Sequence, residues 1–427
     1  MLGKFKSGRG DFFNLFFMTI KKTIMKKEGR LSRELSLFQL TVAGTGVMLG
    51  AGIYALIGVA AGITGNSIWL AFLIASLIAA LTGLSYAELS SRFHKDAGEY
   101  DYITAAFNKK IGSIIGALVV FSGFFGIATV AMAFGSYFSN LLHFPIIYYA
   151  VFLILACVIV NYIGTRASFR IDTAFTFIQI AGLLIIILLG MKHLGKINYF
   201  EMPNGITGLL EASALIFFAY TGFESIVKFS EEAKNPARTV PRAIIYSIII
   251  SAVLYILVSV SAISILDWQK LSASTAPLAE VASVSFGNAA FMALAVIALF
   301  STSKTVLMVI ITTSRMIYGM AERNALPKIF LLINKKHKTP INAIIATGIV
   351  SIPFLLINNL ETMAYLANFS LFTTFALINL SVIVLRYKSD KDNTFKMPVN
   401  IGKFPLLAAL GLISCLVMLI FVVKGLV

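Results

Sequence analysis

The residues most able to hold a ligand lie in the middle of the first long apolar stretch, Gly44-Thr45-Gly46-Val47-Met48-Leu49-Gly50-Ala51-Gly52-Ile53-Tyr54. Each interior glycine costs a helix roughly 1 kcal/mol relative to alanine. In lipid, every freed backbone group must find a partner inside the protein. A second interruption follows at Phe217-Phe218-Ala219-Tyr220-Thr221-Gly222-Phe223-Glu224. Two interrupted apolar segments, one in each half of a chain, are the pattern of a transporter binding site built from opened backbone. Close helix packing is the rival explanation for the first run alone, because Gly46 and Gly50 have the GxxxG spacing. The pairing with the second run favours the site. A dinucleotide loop is excluded, since Gly44-Thr45-Gly46 is flanked by membrane-length apolar sequence rather than by a strand and a soluble helix. The third chemical feature is Lys304, in Phe300-Ser301-Thr302-Ser303-Lys304-Thr305, near the middle of an apolar segment. A charge at that depth is costly and usually functional.

These residues need a membrane to position them. Of 427 residues, 58% are hydrophobic and 13% charged, about half the charge of a soluble domain. Apolar runs of spanning length recur throughout. Eleven spans are expected, at Leu37–Ala60, Ile68–Ser90, Ile111–Leu142, Ile146–Tyr162, Phe169–Met191, Gly208–Phe229, Arg242–Leu266, Ala289–Met320, Ile341–Ile357, Thr362–Tyr387 and Phe404–Val423. Sorting the 35 Lys and Arg residues between alternate loops places 30 on one face and 4 on the other, with Lys304 left inside a span. That asymmetry predicts a multi-pass protein of the cell membrane with a cytoplasmic N-terminus and, after eleven spans, an extracellular C-terminus. The net charge of +16 is therefore a topology signal and a contact with anionic lipid, not a nucleic-acid footprint. Cys157 and Cys415 both fall inside apolar spans, so neither a disulfide nor a metal site is implied. Phe12–Ile20 is too short to span and is followed by lysines, which fits an interfacial amphipathic helix or a disordered tail.

Spans one to five and six to ten superpose as two halves, each opening with an interrupted helix. An odd number of spans per half forces opposite orientations, an inverted repeat. The expected organisation is a cytoplasmic tail over 1–35, a first five-helix repeat over 36–193 and a second over 206–388. A linker and eleventh helix over 389–427 lie outside the core. Asp101–Asn108 is expected as an in-plane helix, and Ala276–Ser285 as a short helix on the extracellular mouth.

At the interrupted segments the chain resembles an amino-acid/polyamine/organocation permease with the LeuT-type five-plus-five fold. The resemblance is carried by Val47–Tyr54 and Phe218–Glu224, then by Ser230-Glu231-Glu232-Ala233-Lys234-Asn235-Pro236, Val240-Pro241-Arg242-Ala243-Ile244, Thr313–Ala321 and Leu326-Pro327. It implies an all-α polytopic membrane protein that takes up amino acids by alternating access. The N–H groups near Gly50, Ala51 and Gly52 suit a substrate carboxylate. Carbonyls near Val47 and Met48, and near Phe218, Ala219 and Thr221, suit its ammonium. Phe218 and Tyr220 are candidates to gate or line the pocket, with core packing an equal alternative for either ring. Ser301, Phe121, Ser122, Phe125 and Asn368 are further candidates from spans three, eight and ten. These are mostly apolar or neutral, which mildly favours neutral amino acids over cationic ones.

In sodium-coupled relatives, backbone of span one and hydroxyls of span eight hold a sodium ion; in some proton-coupled relatives a span-five lysine replaces it. The comparable span-five position here is Gln179, so Lys304 is expected to supply the cation from span eight. It would bridge carbonyls near Gly46 and Val47 when protonated and release span one when neutral, making protons the coupling ion without sodium. Structural retention by neighbouring hydroxyls or a carboxylate, or simple lining of the vestibule, is the alternative. Glu224–Lys228 and Glu88–Arg92 are expected as i,i+4 pairs of structural use. Relatives of this kind have twelve spans where this chain has eleven. No cofactor and no heavy-chain subunit is expected. An exchanger or an amino-acid sensor would use the same site, while an enzyme would need converging catalytic groups that the spans do not offer.

Overall fold

The computed structural model describes residues 35–50, 52–93, 98–163, 165–334, 339–388 and 395–427, with side chains described at all of these except 165–171 and 231. The expected amphipathic segment at Phe12–Ile20 lies outside the described residues, as does Ala51.

The architecture is all-α and polytopic. Among the described residues, nine helical runs are long and apolar enough to cross a membrane, and Ile341–Ile357 is a shorter apolar helix. The first run, Leu37–Arg92, contains two spans joined by the short 3-10 turn Gly65–Ser67, so the runs correspond to the eleven expected spans. Large apolar side chains face outward in the outer spans, for example Phe152, Leu155 and Ile159 on one helix and Ile413, Leu416 and Ile420 on another. Such exposure would be unfavourable in water and suits lipid. The chain is a multi-pass membrane protein.

Local sequence explains the irregular elements. Span one begins with Ser36 and Gln39 in a reciprocal cap. It runs as an α-helix over Leu37–Met48 and resumes as a π-turn over Gly52–Leu56 before the α-helix Ile57–Thr64. Span six is helical over Gly205–Ile216, tightens to a 3-10 turn over Phe217–Tyr220, opens at Thr221, and continues as a 3-10 helix over Phe223–Glu232. Span nine changes from α over Ile341–Ser351 to 3-10 over Ile352–Ile357, where Pro353 cannot donate the α-helical bond. The in-plane helix is Gly98–Ala106. The short helix before span eight starts at Pro277 and ends at a kink formed by Phe286 and Gly287.

Candidate functional site

The two breaks meet. Gly222 takes φ 124°, a left-handed value that disfavours any residue with a Cβ. A side chain beginning there would lie 2.7 Å from Val47 Cγ1 and 3.1 Å from Met48 N. Beyond the breaks, Gly52 lies directly against Ala219, leaving no room for a methyl group. The breaks border a cavity of about 60 Å³. It lies toward the face that collects the lysines and arginines, here termed the basic face. Val47, Met48, Gly50, Gly52, Phe218 and Thr221, all expected at the site, line it.

Three expected residues sit behind the wall instead. Ala219 is fully buried against Gly52. The Tyr220 ring packs against Phe72 and Tyr255, and its hydroxyl donates to Phe72 O at 3.0 Å. Ser301 donates to Leu49 O at 3.2 Å, anchoring the opened backbone rather than facing the cavity. Of the other candidates, Ser122 lines the cavity. Phe121 points outward, Phe125 packs on Phe354, and Asn368 donates to Ala214 O and Leu215 O.

Tyr255 of span seven was missed by sequence reasoning. Its hydroxyl hydrogen is shared between Met48 O and, at 2.9 Å, Ala219 O, so one side chain bridges both breaks. Two carbonyls expected to face a substrate ammonium are thereby already engaged, and Phe218 O accepts from Thr221 Oγ1 at 2.8 Å. Leaving such buried acceptors unmet costs about 1–3 kcal/mol. Tyr255→Phe is therefore expected to slow initial substrate uptake roughly tenfold, measured in proteoliposomes at equal protein content. Wild-type uptake would show that the bridge carries no energy.

Lys304 is 1% exposed and donates to Thr176 Oγ1 of span five at 2.7 Å. It approaches span one at Gly46, where a side chain would begin 2.9 Å from its Nζ. The ammonium thus sits beside the first half of span one, held by a hydroxyl rather than by the carbonyls of Gly46 and Val47.

The pairing of two broken helices around a cavity, with a buried cation beside the first break, describes a membrane carrier, and comparison decides which kind. A model of the amino acid permease family matches residues 35–425. The chain belongs to the amino acid permease family. It is 30% identical to a methylthioribose transporter of Bacillus subtilis over 87% of this chain and 85% of that protein. The branched-chain amino acid permease BcaP of Bacillus subtilis is 26% identical over 92% of this chain and 89% of its own. The human cationic amino acid transporter 4 is 27% identical over 85% of this chain and 61% of its own. The chain is therefore a transporter of that family and not an enzyme.

Toward the basic face the cavity is bordered by charge. Glu224 and Lys228 both line the cavity, yet they do not pair as expected. Residues three apart align in a 3-10 helix, so position i+4 swings a third of a turn away. Glu224 instead accepts from Gly222 N at 2.7 Å, and Lys228 turns to Glu99 of the in-plane helix at 3.6 Å. Arg315 of span eight donates to Lys228 O and Glu232 and lies over the Phe229 ring. Arg323 bonds Asp101, and Arg386 of span ten grips Glu88 with two bonds of 2.7 and 2.5 Å. Glu88, expected to serve span two locally, also ties span two to span ten.

Proposed function

We propose that the permease is a secondary active transporter that takes up amino acids by alternating access, driven by protons and independent of sodium. The observation that carries this reading is the buried ammonium of Lys304 beside Gly46, where an ion-coupled carrier needs a positive charge to hold span one. Two inverted repeats, over 36–193 and 206–388, rock against each other, and the segment 389–427 stays outside the moving core. The basic face is cytoplasmic by the charge asymmetry, so the cavity lies on the inner side of the breaks in the cell membrane. Gly50 and Gly52 offer N–H groups to the substrate carboxylate; Val47 and Thr221 offer carbonyls to its ammonium. Neutral amino acids are favoured, because Lys228 offsets Glu224 and the rest of the wall, Val47, Val119, Val130, Val309 and Leu371 among it, carries no charge. A second reading, cationic substrates, is favoured by the Glu224 carboxylate on the wall and by the relative that carries that name.

Labelled amino-acid uptake into proteoliposomes, with pH and sodium gradients imposed separately, tests the reading. Accumulation is expected with acid outside and no sodium. Strict sodium dependence would sink it. Counterflow without accumulation under either gradient would identify an exchanger, and binding without any flux a sensor. Lys304→Ala is expected to lose accumulation on the pH gradient, and a competition panel ranks neutral against cationic substrates.

A further inference from the structure

Asp172 is a buried charge that the transport reading leaves unused. It lies on span five two turns after the helix start at Thr165, is fully buried, and neither carboxylate oxygen accepts a hydrogen bond from any described residue. An unpartnered carboxylate at such a site costs several kcal/mol. One turn on, Thr176 donates its hydroxyl to Asp172 O at 2.7 Å while accepting from Lys304 Nζ at 2.7 Å. All three groups converge on one point of span one. A side chain begun at Gly46 would lie 2.3 Å from Thr176 Oγ1, 2.9 Å from Lys304 Nζ and 3.4 Å from Asp172 Oδ1. The other titratable side chains on the elements packed around this cluster include two phenols and a thiol, besides the outward-facing Tyr162 of span four and Tyr246 of span seven. Tyr54 of span one donates to Gln179 O, Tyr255 of span seven is engaged at the breaks, and Cys157 of span four donates to Ser303 O.

We propose that Asp172 is a second coupling residue, the proton-binding half of a carboxylate–ammonium unit that spans five and eight press against Gly46. This rests on the proton-coupled reading above and relocates the proton within it. Taking a proton from Lys304 would leave the Asp172 anion alone in the bilayer. Adding one to Asp172 leaves a neutral carboxyl beside an ammonium that already has Thr176 as acceptor. The unit therefore cycles between zero and +1, and its two groups titrate as one system. With Asp172 neutral, the ammonium stays with Thr176 beside span one. With Asp172 ionised, it is drawn toward the carboxylate, and the first half of span one is free to tilt. No bond other than the O–H on Asp172 forms or breaks.

The full chain in proteoliposomes provides the test, with wild type, Asp172→Asn and Asp172→Glu compared for counterflow and for accumulation on a one-unit pH gradient. That gradient supports about tenfold accumulation at one proton per substrate. Wild type reaching no accumulation would sink the proton-coupled reading itself, before any variant is considered. Given a coupled wild type, Asp172→Asn is expected to equilibrate substrate without accumulating it, and Asp172→Glu to restore accumulation with a displaced pH profile. Wild-type accumulation by Asp172→Asn overturns the proposal. So does an unchanged pH profile in Asp172→Glu, or loss of both counterflow and accumulation in both variants. Should Asp172→Asn fail to fold, Asp172→Asn/Lys304→Gln removes both charges and is expected to fold and to be uncoupled; a coupled double variant overturns the proposal equally.

Discussion

Gly52→Val is expected to cut initial substrate uptake roughly ten- to hundredfold. A Cβ at this position would stand 2.3 Å from Ala219 Cα, 2.4 Å from its Cβ and 2.9 Å from its N. Those are backbone atoms or atoms fixed to the backbone, so no side-chain rotation relieves the clash. The two broken spans must separate instead, and overpacking of this kind costs about 1–3 kcal/mol or more. The contact holds the two broken spans together, so the substitution penalises that arrangement specifically. In the proposed alternating-access cycle the arrangement recurs at every turnover, and the lost population appears directly as lost rate. Gly126 lines the same cavity but a methyl there would meet nothing within 4 Å, so Gly126→Ala serves as the control for folding and insertion. Uptake by Gly52→Val comparable with wild type would mean that the Gly52–Ala219 contact is not part of the transport cycle.

The breaks were legible because they violate a local rule. Glycine in a bilayer-length helix and lysine at its centre stand out against their neighbours, and both predictions name residues that the structure brings to the cavity or beside it. Groups placed by tertiary contact were not legible. Tyr255 is one polar ring in an otherwise ordinary span, and nothing nearby in sequence says that its hydroxyl reaches Met48 and Ala219, 207 and 36 residues away. Asp172 was hidden by a boundary. Span five was expected to begin at Phe169, which puts an acid in its first turn at the headgroups, whereas the packing of spans five and eight buries that acid fully beside Gly46. The Glu224–Lys228 pairing failed for a different reason. Its spacing is correct for an α-helix, and the chain after Gly222 is not one.

That 3-10 geometry leads to the largest expected effect on stability. Lys228→Met is expected to destabilise the permease by about 3–5 kcal/mol, the cost of removing one partner from a buried ion pair. Glu99 is fully buried, and besides Lys228 its described hydrogen-bond partner is the Tyr86 hydroxyl at 3.3 Å, bonded to the same oxygen that faces the ammonium; Oε2 has no partner among the described residues. Methionine fills the lysine's volume, so the loss is of charge rather than of packing. Adding Glu99→Gln removes the stranded charge, and the double variant Lys228→Met/Glu99→Gln is expected to recover most of the stability. Thermal or denaturant unfolding of the four proteins in detergent measures the coupling as a double-mutant cycle. Additive losses would show that the two groups do not interact. Transport separates the pair's structural role from its position at the cavity. Because Lys228 also lines the cavity wall, the stable double variant should still differ from wild type in substrate uptake, and the Glu224 carboxylate, no longer offset by an ammonium, should tilt selectivity toward cationic amino acids.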